Sequence, residues 1–74
     1  MTRRALMEAV RAKGLPVRTH HVDVALRNTI FRTPPAVVGD RLIYGQEHVD
    51  DLIAYVQAIQ DKRARRAAER EAAR

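Results

Sequence analysis

Residues Arg18–Leu52, RTHHVDVALRNTIFRTPPAVVGDRLIYGQEHVDDL, decide the fold of this 74-residue chain. The stretch opens on a short helical pattern and closes on a stronger one. Between the two patterns, Pro34 and Pro35 exclude helix and central strand, because proline has no backbone N–H to donate. The stretch therefore predicts a short helix, a small β-hairpin and a longer helix, in that order.

The helix before the prolines is predicted to run from Thr19, as its N-cap, to about Asn28. Val22, Ala25 and Leu26 give it an apolar face at helical spacing. A helix of about 10 residues with three apolar anchors does not stand alone in water. It must pack on a neighbouring helix, which is the helix-turn-helix arrangement.

The neighbouring helix is predicted over residues 2–13, with Thr2 as N-cap and Gly14 as the residue that ends it. The following Leu15 and Val17 are expected to join the turn to the core. The apolar face of this first helix consists of Leu6, Met7, Ala9 and Val10.

The hairpin is predicted from two β-favouring runs, Val37-Val38 and Leu42–Tyr44, on either side of Gly39-Asp40. Two strands alone are marginally stable, so they must pack on the helices as a wing. We expect Phe31 and Tyr44 to be core residues that hold this wing in place.

The last helix is predicted to begin near Glu47 and to carry the strongest apolar stripe of the chain. The stripe consists of Val49, Leu52, Ile53, Val56 and Ile59. After Gln60 the apolar residues are all alanine, and the helix is expected to continue without a large side chain to bury. We therefore divide the chain into a domain over 1–60 and a basic extension over 61–74, which could be a phosphate contact, a disordered arm or an oligomerisation segment.

The charges are unevenly distributed along the chain. The net charge of +5 divides into +5 over residues 1–39, −3 over 40–60 and +3 over 61–74. A basic front, an acidic third helix and a basic tail predict one face for a polyanion and another turned away from it.

Composition excludes several classes of protein. There is no cysteine, so disulfides and thiolate zinc sites are excluded. No catalytic set or Gly-rich phosphate loop is present, and so short a chain gives little scaffold for an active site, so we expect a protein that is not an enzyme and has no cofactor. The absence of a membrane span or secretory signal makes the cytoplasm the expected location.

The layout over about 6–59 resembles the MerR-like winged helix-turn-helix superfamily, particularly its small excisionase-type and phage-type members. The resemblance lies in THHVDVALRN, in the loop proline of RTPP and in VVGDRLIYGQEHVDDLIAYV. The resemblance implies a mainly α fold with a β-hairpin wing and duplex DNA as partner. It also implies a role in recombination or transcription for a bacterial or phage-encoded protein associated with the nucleoid. The chain lacks the long Leu-rich coil and effector domain of full MerR regulators, and its turn KGLPVRT is less regular.

In such a fold the second helix enters the major groove. Arg27 could pair with guanine and Asn28 with adenine. Asp23 could accept from cytosine or hold Arg27 at i+4. The predicted DNA-binding residues are Arg18, Thr19, His20, His21, Asp23, Val24, Arg27, Asn28, Arg32 and Arg41.

Other interpretations remain open at this point. Arg41 could instead form a salt bridge with the acidic helix. His20 and His21 are adjacent on a helix and chelate a metal poorly, so no metal site is predicted. The chain could also be a protein-interaction module, such as a phage packaging subunit or antitoxin-like partner that docks through the third helix, in which case the apolar stripe would be partly exposed. RNA binding is a weaker third option.

Overall fold

The computed structural model describes residues 1–73 as three helices and one two-stranded antiparallel hairpin. The first two helices both pack against the third. Within the described residues, no helix is long and apolar enough to cross a membrane. The elements are α1 (Arg3–Arg11), α2 (Thr19–Arg27), β1 (Ala36–Val38), β2 (Arg41–Ile43) and α3 (Gln46–Ala72).

The first helix forms as its sequence predicts. The Thr2 hydroxyl accepts a hydrogen bond from the Ala5 backbone N–H at 3.2 Å, which satisfies one of the free donors at the helix start. The helix ends before Gly14, whose φ of +79° is the left-handed conformation that glycine adopts without strain. Its buried residues are Leu6, Met7 and Val10.

The start of the second helix differs from the prediction. Thr19 is the first helical residue, and Arg18 is the N-cap. The Arg18 backbone N–H donates to Nδ1 of His21 at 2.9 Å, so the side chain three residues after the N-cap reaches back to the N-cap backbone, as the glutamate of a capping box does. The prediction of Thr19 as the cap was wrong, because side-chain preference at one position gives no weight to an acceptor reaching back from the first turn.

The third helix begins in the same way, one residue earlier than predicted. The Gly45 backbone N–H donates to Nδ1 of His48 at 2.9 Å. The other nitrogen of this buried ring, Nε2, donates to the Thr33 carbonyl at 2.7 Å. His48 therefore joins the loop before the hairpin to the start of α3, as the neutral tautomer that carries its proton on Nε2.

The hairpin is held by an aromatic cluster at its base. Phe31 and Tyr44 are buried as predicted, with ring centroids 6.0 Å apart, and both rings pack edge-on against His48. The backbone of Met1 exchanges hydrogen bonds with the backbone of Tyr44, which ties the hairpin to the start of α1. The hairpin is thereby fixed at its base to the start of α1 and to the first turn of α3.

The hairpin turn is the predicted pair Gly39-Asp40. Val38 pairs with Arg41 across it, so the two turn residues stand alone between the strands. Gly39 has φ +66° and occupies the first turn position, where the type II′ turn requires glycine. Val37 is 69% exposed, and all three residues of β1 have their side chains in solvent.

Only the first half of α3 contributes side chains to the core. Val49, Leu52 and Val56 are buried, as the stripe predicts, whereas Ile53 and Ile59 are only partly buried. From Gln60 to the last described residue, all side chains are exposed. The helix crosses residue 60 without a break, as predicted, and gives the molecule its elongated shape of 55 × 24 × 17 Å.

Candidate nucleic-acid interface

The second helix presents a polar face to solvent. Thr19, Asp23 and Arg27 follow one another at successive turns, and His20 and Val24 lie beside them. All five are exposed or partly exposed, whereas Val22 and Ala25 on the other side are fully buried. Five predicted DNA-binding residues therefore share one surface.

His21 does not belong to that face. Its side chain is 8% exposed, its Nδ1 is occupied by the Arg18 N–H, and its ring meets Tyr55 edge-on at 6.1 Å. Burial lowers the pKa of His21 from its usual value near 6.5, and the charges of His20, Arg18 and Arg63 lower it further. The structure thus buries His21 instead of exposing it on the face of α2, because helix capping uses its Nδ1 and core packing covers its ring; its contact with DNA stays an untested prediction.

Asp23 has a partner that neither sequence alternative included. The Arg3 guanidinium donates to the Asp23 carboxylate at 2.9 Å, joining the start of α1 to the middle of α2. Both side chains are half-exposed, so the pair contributes at most about 1 kcal/mol to stability. Its larger effect is electrostatic, because Arg3 neutralises a carboxylate that would repel phosphate. The 20-residue separation leaves no local pattern by which the sequence could reveal it.

The two ends of α2 carry further exposed polar groups. Arg18 lies at the amino-terminal end, where the helix dipole and free backbone N–H groups favour anions. Asn28 lies at the carboxyl-terminal end as the C-cap, and its backbone N–H donates to Val24. The side chains of Arg18 and Asn28 are both exposed to solvent.

A second basic surface lies between the hairpin and the start of α1. Arg41 in β2 lines an open groove together with Arg3 and Arg4, and the groove holds one carboxylate, that of Asp40. Within residues 1–73 Arg41 forms no ion pair, so the predicted alternative of a salt bridge to the acidic helix is not realised. Since Arg3 also reaches Asp23, the groove and the α2 face adjoin one another.

Arg32 lies apart from both surfaces. Its backbone N–H donates to the Asp51 carboxylate at 3.1 Å, and its guanidinium Nε lies 3.9 Å from the same group. The surrounding groove includes Glu47 and Asp50. The structure thus places Arg32 beside the acids of α3, where the local field disfavours a phosphate.

The histidines form no metal cluster. The ring centroids of His20 and His21 lie 4.2 Å apart, but Nδ1 of His21 already accepts from the Arg18 backbone N–H. Across the described part of the chain, no three His, Asp or Glu side chains gather at metal-binding geometry.

Comparison of the chain with family models, with curated proteins and with solved structures finds no match.

Proposed function

We propose that this chain binds duplex DNA as a winged helix-turn-helix, with α2 in the major groove and the β1–β2 hairpin as the wing. The observation that carries the proposal is the continuity of the exposed polar face of α2 with the basic groove between the hairpin and the start of α1. Arg3 contacts Asp23 on the exposed face of α2 and also lines the groove with Arg4 and Arg41. A duplex seated on α2 would therefore meet the arginines of the groove at its flank.

The residues of α2 divide into two roles under this proposal. Arg27 and Asn28 are the groups that read bases, since arginine pairs bidentately with guanine and asparagine with adenine. Arg18 and Thr19 hold phosphates at the amino-terminal end of the helix. His20 and Val24 lie between these groups and contact the groove floor or the sugar edge.

The wing supplies contacts that are independent of sequence. Arg41, with Arg3 and Arg4, contacts the sugar-phosphate backbone beside the major groove. Such contacts strengthen binding to every duplex equally and give it a salt dependence. Arg32 is omitted from this interface because Asp51 holds it on the acidic side.

We further propose a role that needs no catalysis, either as an excisionase-like recombination directionality factor or as a small transcription regulator. One module of this size contacts too little DNA for high specificity. Binding is therefore cooperative along tandem sites or occurs as a homodimer, with a recombinase or RNA polymerase as the candidate protein partner. A cytoplasmic location follows from that role.

The test is the affinity of the full chain for random-sequence and selected duplexes, measured by fluorescence anisotropy over roughly 50–300 mM salt. Arg27→Ala should relax the preference at the base that Arg27 reads, at a cost of about 1–3 kcal/mol. Arg41→Ala should weaken all sequences alike and reduce the salt slope by about 1. Arg32→Ala is the matched control, because it removes the same charge from a site beside the acids. An Arg27→Ala protein with unchanged affinity and preference would remove α2 from the major groove.

The rival function is docking to a protein through the third helix. That interpretation requires a partly exposed apolar stripe; Val49, Leu52 and Val56 are buried, whereas Ile53 and Ile59 are partly exposed. Binding to a protein with little salt dependence, and no binding to DNA, would favour this rival.

A further inference from the structure

The exposed second half of α3 has a side that continues the core face of the helix. Leu52 and Val56 are buried, so they mark the side of α3 that faces the domain. With about 3.6 residues per turn, Arg63 follows Leu52 by about three turns and Arg70 follows it by about five. The side that packs on the other helices thus becomes, beyond the core, a side lined with arginine.

We call Arg63, Arg66 and Arg70 the arginine face. Within residues 1–73 none of the three forms an ion pair, and all three are exposed. Asp61 lies about half a turn away from Arg70 around the helix axis, on the opposite side. Glu71 points about 100° away from Arg70, and Glu69, three residues after Arg66, lies at the edge of the face, about 60° from Arg66. The face therefore presents three guanidinium groups with no carboxylate between them.

The arginine face begins beside the amino-terminal end of α2. The ring of Tyr55 packs on His21 in the first turn of α2. Arg63 lies about two turns beyond Tyr55, about 12 Å further along α3 and about 80° from it around the helix axis. It is near enough to His21 that its charge, with that of Arg18, disfavours a proton on that ring. The anion-favouring end of α2 and the arginine face are thus adjacent.

We propose that the arginine face binds the phosphate backbone of the same duplex that α2 engages, on the side of the α2 amino terminus. This inference rests on the proposed function. Guanidinium groups pair bidentately with phosphate. The projecting helix reaches about 21 Å past Val56, the last buried residue, to Arg70. Two copies of the chain joined through this face would bring like charges together, so DNA fits it better than a second copy.

The experiment compares two double variants of the full chain that remove the same charge. Arg66→Ala with Arg70→Ala alters the arginine face, and Lys62→Ala with Arg65→Ala alters its margin and the other side of the same helical segment. Alanine preserves helix propensity, which far-UV circular dichroism checks. Binding to a random duplex of about 30 base pairs, longer than one helical turn of about 10, is measured over roughly 50–300 mM salt.

The proposal expects the arginine-face variant to lose about 1.8 from the salt slope and on the order of 10-fold in affinity at low salt. The control should lose less than half as much. Equal losses in both variants, or no loss in the first, would overturn the proposal while leaving DNA binding by α2 intact. A change in the oligomeric state of the DNA-free protein when the arginine face is altered would also overturn the proposal, in favour of a contact between protein chains. If the unmodified chain binds no duplex, the proposed function fails and this inference fails with it.

Discussion

The most informative perturbation of the fold is His48→Phe. The His48 side chain is 2% exposed and makes two hydrogen bonds to backbone groups of two other segments, at Gly45 and Thr33. Phenylalanine fills the ring volume and preserves the edge-on packing with Phe31 and Tyr44, but it can make neither bond. The substitution therefore isolates the polar role of the ring from its packing role.

The magnitude follows from what each abandoned group can do next. The Gly45 N–H lies in a partly buried residue, and leaving it without a partner costs about 1–3 kcal/mol. Thr33 is exposed, so water can partly replace the lost donor at its carbonyl and the cost there is nearer to about 1 kcal/mol. The sum is about 2–4 kcal/mol, a large part of the roughly 4–11 kcal/mol expected for a chain of this length.

The assay is urea unfolding followed by circular dichroism, with thermal unfolding as a second measure. A loss near 3 kcal/mol should lower the melting temperature by roughly 12–24 °C in a domain of this size. His20→Phe, at an exposed position, should change stability by less than about 0.5 kcal/mol. A His48→Phe protein within about 0.5 kcal/mol of the unmodified chain would refute the reasoning.

Three other predictions concern pH, backbone strain and charge. Because the folded-state pKa of His21 is lowered, stability should be full above pH 6.5 and fall as the pH drops toward the folded-state pKa; melting temperatures between pH 7.5 and 5 should show this, with a weaker slope in His21→Asn than in His20→Asn. Thr29 has φ +53°, which β-branched residues rarely adopt, so Thr29→Asn should gain about 0.5 kcal/mol in urea unfolding, and a loss would contradict the strain. Asp23→Asn should raise affinity for random duplex several-fold at low salt by removing a carboxylate from the proposed interface; unchanged affinity would place Asp23 away from the DNA.

Much of the architecture could be predicted because it rests on local patterns. The periods of the apolar residues located all three helices, and Gly39-Asp40 located the hairpin. Thr2 and Gly14 cap and end α1 as their residue types require. The candidate interface was predictable to the same extent, since the apolar side of α2 fixes which residues remain outside.

The errors in the predicted site fall where a residue has a partner distant in sequence. His21 was expected on the surface, but Tyr55 covers it. Arg32 was predicted to contact DNA, but its backbone N–H bonds to Asp51 on the acidic side of α3. Neither partner lies within a turn of its residue, so no local pattern could reveal the contact.

Local patterns in the sequence set the number, order and type of elements, because helix period, turn chemistry and the prolines act over a few residues. The sequence also places positive charge at both ends of the chain and negative charge between them. Only the tertiary structure decided which charges meet. In the folded chain Arg3 pairs with Asp23, and Arg41 lines one groove with Arg4. Arg63 lies near enough to His21, in the first turn of α2, for its charge to lower the pKa of that ring. Those neighbours depend on how the helices pack, and packing is set by the whole core and not by any one segment.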